Sequence, residues 1–172
     1  MKSYIKRFLL ITICLFSLGA TFAQYDTIPP YKKSVYFPAV RLLLPDSVSY
    51  FTKSNFDKKS SVMVMLFNPQ CEHCQHETSE LVKHIDKFKG TEILMVTSMP
   101  YDSMMNFRER YQLAKYDNII VAQDANFTLI SFFSIHALPT LAFYNRNKEF
   151  TGIFEGGLPI DKIEKELEKA GK

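Results

Sequence analysis

Residues 61–67, SVMVMLF, form an apolar run with β-branched members, closed by Ser60 on one side and Asn68-Pro69 on the other. So short and so apolar a run predicts a central strand buried on both faces. Downstream the period changes. Thr78, Leu81, Val82, Ile85 and Phe88 recur at helical spacing until Gly90, which predicts one amphipathic helix over 72–89. EILMVTS (92–98) predicts a second buried strand. YDSMMNFRERYQLAKY (101–116) predicts a second helix with Asp102 or Ser103 as N-cap and Met104, Phe107 and Tyr111 inward. NIIVAQD (118–124) reads as a short strand, and DANFTLISFF (124–133) as a short helix with Phe127, Ile130 and Phe133 inward. Two strands joined by a turn at Asn145 to Lys148 are expected over 138–157. A last helix follows over 158–172, with Ile160, Ile163 and Leu167 on one side, Pro159 near its start and Gly171 near its end. Residues 24–43 begin with three prolines in eighteen residues and no period, which predicts an extended segment; VSYF (48–51) follows as a short strand. Strands alternating with helices, then a hairpin and a helix, predict a single α/β domain over 44–172, with a central mixed sheet flanked by helices on both faces.

The first 23 residues stand outside this pattern. Lys2, Lys6 and Arg7 precede the apolar run FLLITICLFSLGA, and small residues follow up to Ala23. Charged, then apolar, then small is the order of a secretory signal, with cleavage expected after Ala23. Phe8 to Leu18 is shorter than the ~20 apolar residues needed to span a bilayer. Cys14 lies inside this run behind Ile13, a poor context for lipid attachment, and is expected to leave with the signal.

Cleavage changes the charge balance. Three basic and no acidic residues go, so 21 − 3 = 18 basic face 18 acidic, and the pI of about 8.7 belongs chiefly to the signal. The remaining 172 − 23 = 149 residues suffice for one domain with a good core. Their neutral balance gives no reason to expect nucleic acid or an anionic membrane as partner. The expected location is periplasmic or otherwise extracytoplasmic, where disulfides persist, with no membrane attachment after cleavage and a monomeric state.

Cys71 and Cys74 are then the only cysteines left, and NPQCEHCQHE (68–77) packs them with His73 and His76 into six positions. Three chemistries are open to the cluster: a redox couple, a metal site, or a structural staple. One short-range pair closes too small a loop to constrain the unfolded chain much, so the staple is the weakest of the three. The four side chains are soft or borderline metal ligands. On one helical turn, however, His73 is rotated about 200° from Cys71, so all four converge only if the helix unwinds. His84 reads as a polar-face residue and His136 as a rim or surface one. Aromatic and methionine side chains, including Met63, Met65, Met104 and Met105, read as core.

In order along the chain, VMVMLFNPQCEHC, IHALPTLAFYNRN and FEGGLPIDKIEKEL resemble three signatures of the thioredoxin-like family, and within it the exported TlpA-like thiol-disulfide oxidoreductases. These are a strand leading to C-x-x-C at a helix start, a cis-proline before an edge strand, and a glycine-marked end before the last helix. The likeness covers roughly residues 44 to 170, and three motifs in order are far more specific than a lone C-x-x-C. It implies a thioredoxin-like fold and an enzyme that exchanges electrons with protein thiols or disulfides outside the cytoplasm, served by an electron donor or acceptor and needing no cofactor.

The resemblance also implies roles. Cys71, near unpaired amides and the positive end of the helix dipole, would be the nucleophile, and Cys74 would resolve the mixed disulfide. Pro139 would lie beside the pair and leave the Leu138 backbone free to pair with an extended substrate. Of the intervening dipeptide, His73 favours the thiolate and raises the potential, whereas Glu72 opposes it. Two positions depart from thioredoxin itself: Gln70 stands where it has tryptophan, and Met65 where it has a buried acid that serves the resolving cysteine. Proton transfer to Cys74 must then come from Glu77, Glu72 or water. Some exported thioredoxin-like proteins carry copper, so Cys71, Cys74 and His76 form the alternative, metal-carrying reading. A peroxidase is the remaining alternative. Peroxiredoxins place their cysteine at the end of P-x-x-x-T-x-x-C, whereas Asn68 stands three before Cys71 and no proline stands seven before it.

Overall fold

The computed structural model describes residues 28–171, so the expected signal and the first residues of the 24–43 segment lie outside the described residues. In chain order the elements are α1 (Pro30–Lys33), β1 (Leu42–Leu43), β2 (Tyr50–Phe51), β3 (Ser61–Leu66), α2 (Glu72–Lys83), β4 (Thr91–Thr97), α3 (Tyr101–Arg110), β5 (Ile119–Gln123), α4 (Thr128–Phe133), β6 (Thr140–Tyr144), β7 (Phe150–Glu155) and α5 (Ile160–Ala170). Seven strands form one sheet in the order β2-β1-β5-β4-β3-β6-β7. β3, β4 and β5 run parallel, β6 lies antiparallel to β3, and β7 lies antiparallel to β6. This is the mixed α/β sheet expected from the pattern.

Strand alternation divides the core in two. Met63, Met65 and Phe67 point to one face, where α2, α3 and α5 cover them with Cys74, Leu81, Met104, Phe107, Ile163 and Leu167. Val62, Val64 and Leu66 point to the other, where α4 and the N-terminal segment supply Leu129, Phe133, Phe37 and Val40. Every residue of β3 is buried, as a strand covered on both sides must be.

Four expectations need correction. The segment expected as extended over 24–43 holds α1 and β1, and its Phe37, Val40 and Leu42 are buried in the second core layer. The helix expected over 72–89 stops at Lys83: His84 leaves the helical region, its ring nitrogen sits 3.0 Å from the Glu80 carbonyl, and a tighter 3-10 turn over Ile85–Phe88 drives Phe88 into the core. The second helix ends at Arg110, because Gln112 adopts a left-handed conformation; its N-cap is Pro100, without a side-chain cap bond, instead of Asp102 or Ser103. Phe127 points out, not in. The buried Asp124 carboxylate accepts the Leu129 amide at 2.7 Å, Phe127 takes φ +56°, and Leu129 with Phe133 becomes the inner face.

Tyr144 shows what that second layer tolerates. Its ring packs edge-on to Phe37 and Phe150, yet its buried hydroxyl has no partner among the described residues, and burial pushes the phenol well above its ordinary range. Leaving a hydroxyl unpaired costs about 1 kcal/mol or more. Tyr144→Phe is therefore expected to raise stability by about 1 kcal/mol in urea unfolding; a loss of similar size would show that the hydroxyl is satisfied in solution.

Candidate functional site

Asn68 and Pro69 turn the chain out of β3. The Asn68 side chain accepts the Gln70 amide at 2.9 Å, its carbonyl accepts the Cys71 amide at 3.0 Å, and the Gln75 side-chain amide donates to the Pro69 carbonyl at 2.9 Å. Such self-bonding asparagine turns are local chemistry, legible in sequence. They deliver Cys71 to the N-cap of α2, where its sulfur accepts the Cys74 amide at 3.4 Å. A sulfur thus takes the place usually held by a serine, threonine or aspartate oxygen. That bond, and the helix dipole behind it, strengthen as the sulfur gains negative charge.

The two thiols differ. Both are free; Cys71 is half-buried and Cys74 is sealed from solvent. Burial pushes the Cys74 thiol up to about 12, against the pull of the Asn68 and Cys74 amides, and its proximity to Cys71 raises it further. Cys71 is the member a partner can reach.

Across the site the Leu138-Pro139 peptide is cis, and the Cys71 thiol donates to the Leu138 carbonyl at 3.8 Å. Residues 71 and 138, 67 positions apart, are brought together because β3 and β6 are neighbours in register Leu66 to Thr140. Glu72 and His73 lie exposed on the first turn of α2. His76 lines a groove of about 570 Å³ along α2, and among the described residues no three His, Cys, Asp or Glu side chains converge to hold a metal ion. The alternative set of Cys71, Cys74 and His76 is thus not assembled.

Met65 is fully buried in the layer that also holds Cys74, so no carboxyl stands behind the cysteines on β3. A buried carboxyl is found on α2 instead. Glu77, one turn after Cys74, is only 7% exposed; one carboxylate oxygen accepts the Leu158 amide at 3.2 Å and the other has no partner among the described residues. Burial raises its carboxyl above the ordinary range, with the Leu158 amide and His76 opposing. Gly157, at φ +90°, permits this packing. A Cβ there would stand 2.8 Å from the Glu77 carboxylate and 3.6 Å from the Pro139 ring. The same groove runs past Glu77, His84 and Gly157, and connects the acid to solvent.

The comparisons with known proteins agree with this architecture. A model of the thioredoxin-like domain matches residues 52–171. A putative thioredoxin from Neisseria meningitidis superposes with a TM-score of 0.66 at 18% identity, over 80% of this chain and 89% of that one. A secreted Mycobacterium tuberculosis disulfide oxidoreductase, described as homologous to E. coli DsbE, gives 0.63 at 14% identity, over 76% and 96%. An exposed lipoprotein thioredoxin from Streptococcus pneumoniae gives 0.58 at 21% identity, over 77% and 99%. No curated protein matches the sequence. Among the described residues no helix is long and apolar enough to cross a membrane.

Proposed function

The chain belongs to the thioredoxin-like family, and on that premise we propose that it is an exported thiol-disulfide oxidoreductase working through Cys71 and Cys74. The observation that carries the reading is the pairing of an accessible Cys71 at the α2 N-cap with the Leu138 carbonyl of the cis Leu138-Pro139 peptide. In the reducing direction, the Cys71 thiolate attacks one sulfur of a substrate disulfide. A Cys71–substrate disulfide forms, and the other substrate sulfur leaves and takes a proton. Cys74 then loses its proton and attacks the Cys71 sulfur, which forms the Cys71–Cys74 disulfide and releases the second substrate thiol. Two electrons have passed from the dithiol to the substrate, and the reverse sequence oxidises a dithiol.

Cys74 does not ionise readily by itself, so a base must take its proton. Glu77 is the candidate the geometry favours over Glu72, which is exposed on the outer side of the helix. A carboxyl raised by burial is better matched to proton exchange near neutrality than an ordinary one. Leu138 and Pro139 receive the substrate backbone, and Glu72 and His73 tune the thiolate. Partners are protein thiols or disulfides outside the cytoplasm, together with an electron donor or acceptor. Export rests on the charged, apolar, small pattern of residues 1–23.

A redox titration in glutathione and dithiothreitol buffers tests the proposal, with Cys71 and Cys74 read by alkylation and metal content measured on the same samples. A reversible two-electron couple is expected; a midpoint near ~−270 mV marks a reductase and one near ~−120 mV an oxidant. No reversible couple, with copper or zinc retained by the reduced protein, would replace this reading by the metal carrier.

A further inference from the structure

The backbone around the cis peptide can be accounted for group by group. The amides of His136 and Ala137 both donate to one oxygen of the Glu155 carboxylate, each at 3.0 Å, and its other oxygen lies 3.5 Å from the His136 ring. The Ala137 carbonyl accepts the Thr140 hydroxyl at 2.6 Å. The Pro139 carbonyl accepts the Gly156 and Gly157 amides at 2.8 and 3.2 Å. Beyond the carbonyl of the exposed His136, only Leu138 is left over. Its carbonyl faces the Cys71 thiol, and its amide meets no acceptor among the described residues.

We propose that Glu155 is a positioning residue of the dithiol site, holding the 136–138 loop so that Leu138 presents its amide and carbonyl to an extended polypeptide substrate beside Cys71. The inference rests on the dithiol reading above and adds to it the residue on which polypeptide substrates depend. Glu155 ends β7, at the edge of the sheet and directly opposite Thr140 in register, so its side chain can lean over the loop that leads into β6. A charged acceptor binding two successive amides fixes their orientation, and such bonds are about twice as strong as neutral ones. His136 and Ala137 are themselves exposed. Water would satisfy their amides if Glu155 were removed, so the fold has little need of the carboxylate. Water would not hold the loop in one place. An extended substrate that pairs with Leu138 through main-chain bonds therefore depends on Glu155, whereas a small disulfide that meets only the Cys71 sulfur does not.

The test compares the full chain with its Glu155→Ala and Glu155→Gln variants on two substrates, insulin and 5,5′-dithiobis(2-nitrobenzoic acid). Glu155→Ala is expected to lower kcat/KM for insulin about tenfold, mainly through KM, while the rate with the small disulfide and the redox midpoint stay at the wild-type values. Glu155→Gln keeps a carbonyl oxygen able to accept both amides and is expected to recover most of the loss. Unchanged insulin kinetics in Glu155→Ala, an equal loss on both substrates, no recovery in Glu155→Gln, or an alanine variant that does not fold would each overturn the proposal. If the wild-type chain reduces neither substrate, the dithiol reading itself fails, a result distinct from all of these.

Discussion

Cys71→Ser is expected to reduce disulfide exchange to the uncatalysed background, and Cys74→Ser to accumulate a mixed disulfide between Cys71 and the substrate protein. The asymmetry follows from burial. Cys74 is sealed from solvent and its thiol is pushed up to about 12, so at neutral pH it neither meets a protein disulfide nor holds a free thiolate to attack one. Its opportunity comes only when a mixed disulfide is already attached one turn away at the helix N-cap. Serine at 71 removes the one accessible cysteine sulfur among the described residues, whereas serine at 74 leaves the first step intact and removes the second. Non-reducing electrophoresis with mass analysis reads both outcomes. Exchange persisting in Cys71→Ser would assign the first attack elsewhere and break the proposed sequence.

Glu77→Gln is expected to slow the step that forms the Cys71–Cys74 disulfide, on the order of 10²-fold if the carboxylate takes the Cys74 proton. It is also expected to erase the rise in rate as pH climbs through the Glu77 titration. Stability should move the other way. Burial raises the folded-state carboxyl above its ordinary value, so the native protein binds this proton more tightly than the unfolded chain does. Its contribution is then fully present below the ordinary carboxylate range and is lost as pH rises through the raised value. Above that raised value the wild type therefore carries an unfavourable buried charge that glutamine removes. The variant should be the more stable protein there, an advantage that disappears in acid. Slower chemistry with unchanged pH dependence would make Glu77 a packing residue rather than a proton carrier.

The cysteine turn was legible because it is local. Asn68 and Pro69 set the turn, the change from strand to helix period places Cys71 at a helix start, and each interaction spans only a few residues. The Leu138-Pro139 partner was reached only through resemblance to a family, since nothing near residue 139 distinguishes a cis proline beside a thiol from an ordinary turn proline. Glu77 stood in the sequence as one of three possible proton carriers. What separates it from Glu72 is its environment: the left-handed Gly157 leaves room for the carboxylate beside the Pro139 ring, and the helix turns Glu72 outward. Glu155 gave no local signal, because its role arises from a sheet register that pairs it with Thr140.

By itself the sequence determined the order and type of the main elements, the buried central strand, the two-layered core and the dithiol at a helix N-terminus. All of these follow from periodicities of two and 3.6 residues and from short-range turn chemistry. Tertiary structure decided where helices stop, as at His84 and Gln112, and which side chain opens the inner face of α4, Leu129 in place of Phe127. It also decided that the N-terminal segment completes the second face of the sheet. The physical reason is common to these cases. A side chain's burial and a carbonyl's partner are settled by whichever distant segment arrives beside them, and that competition is resolved only once the sheet has closed.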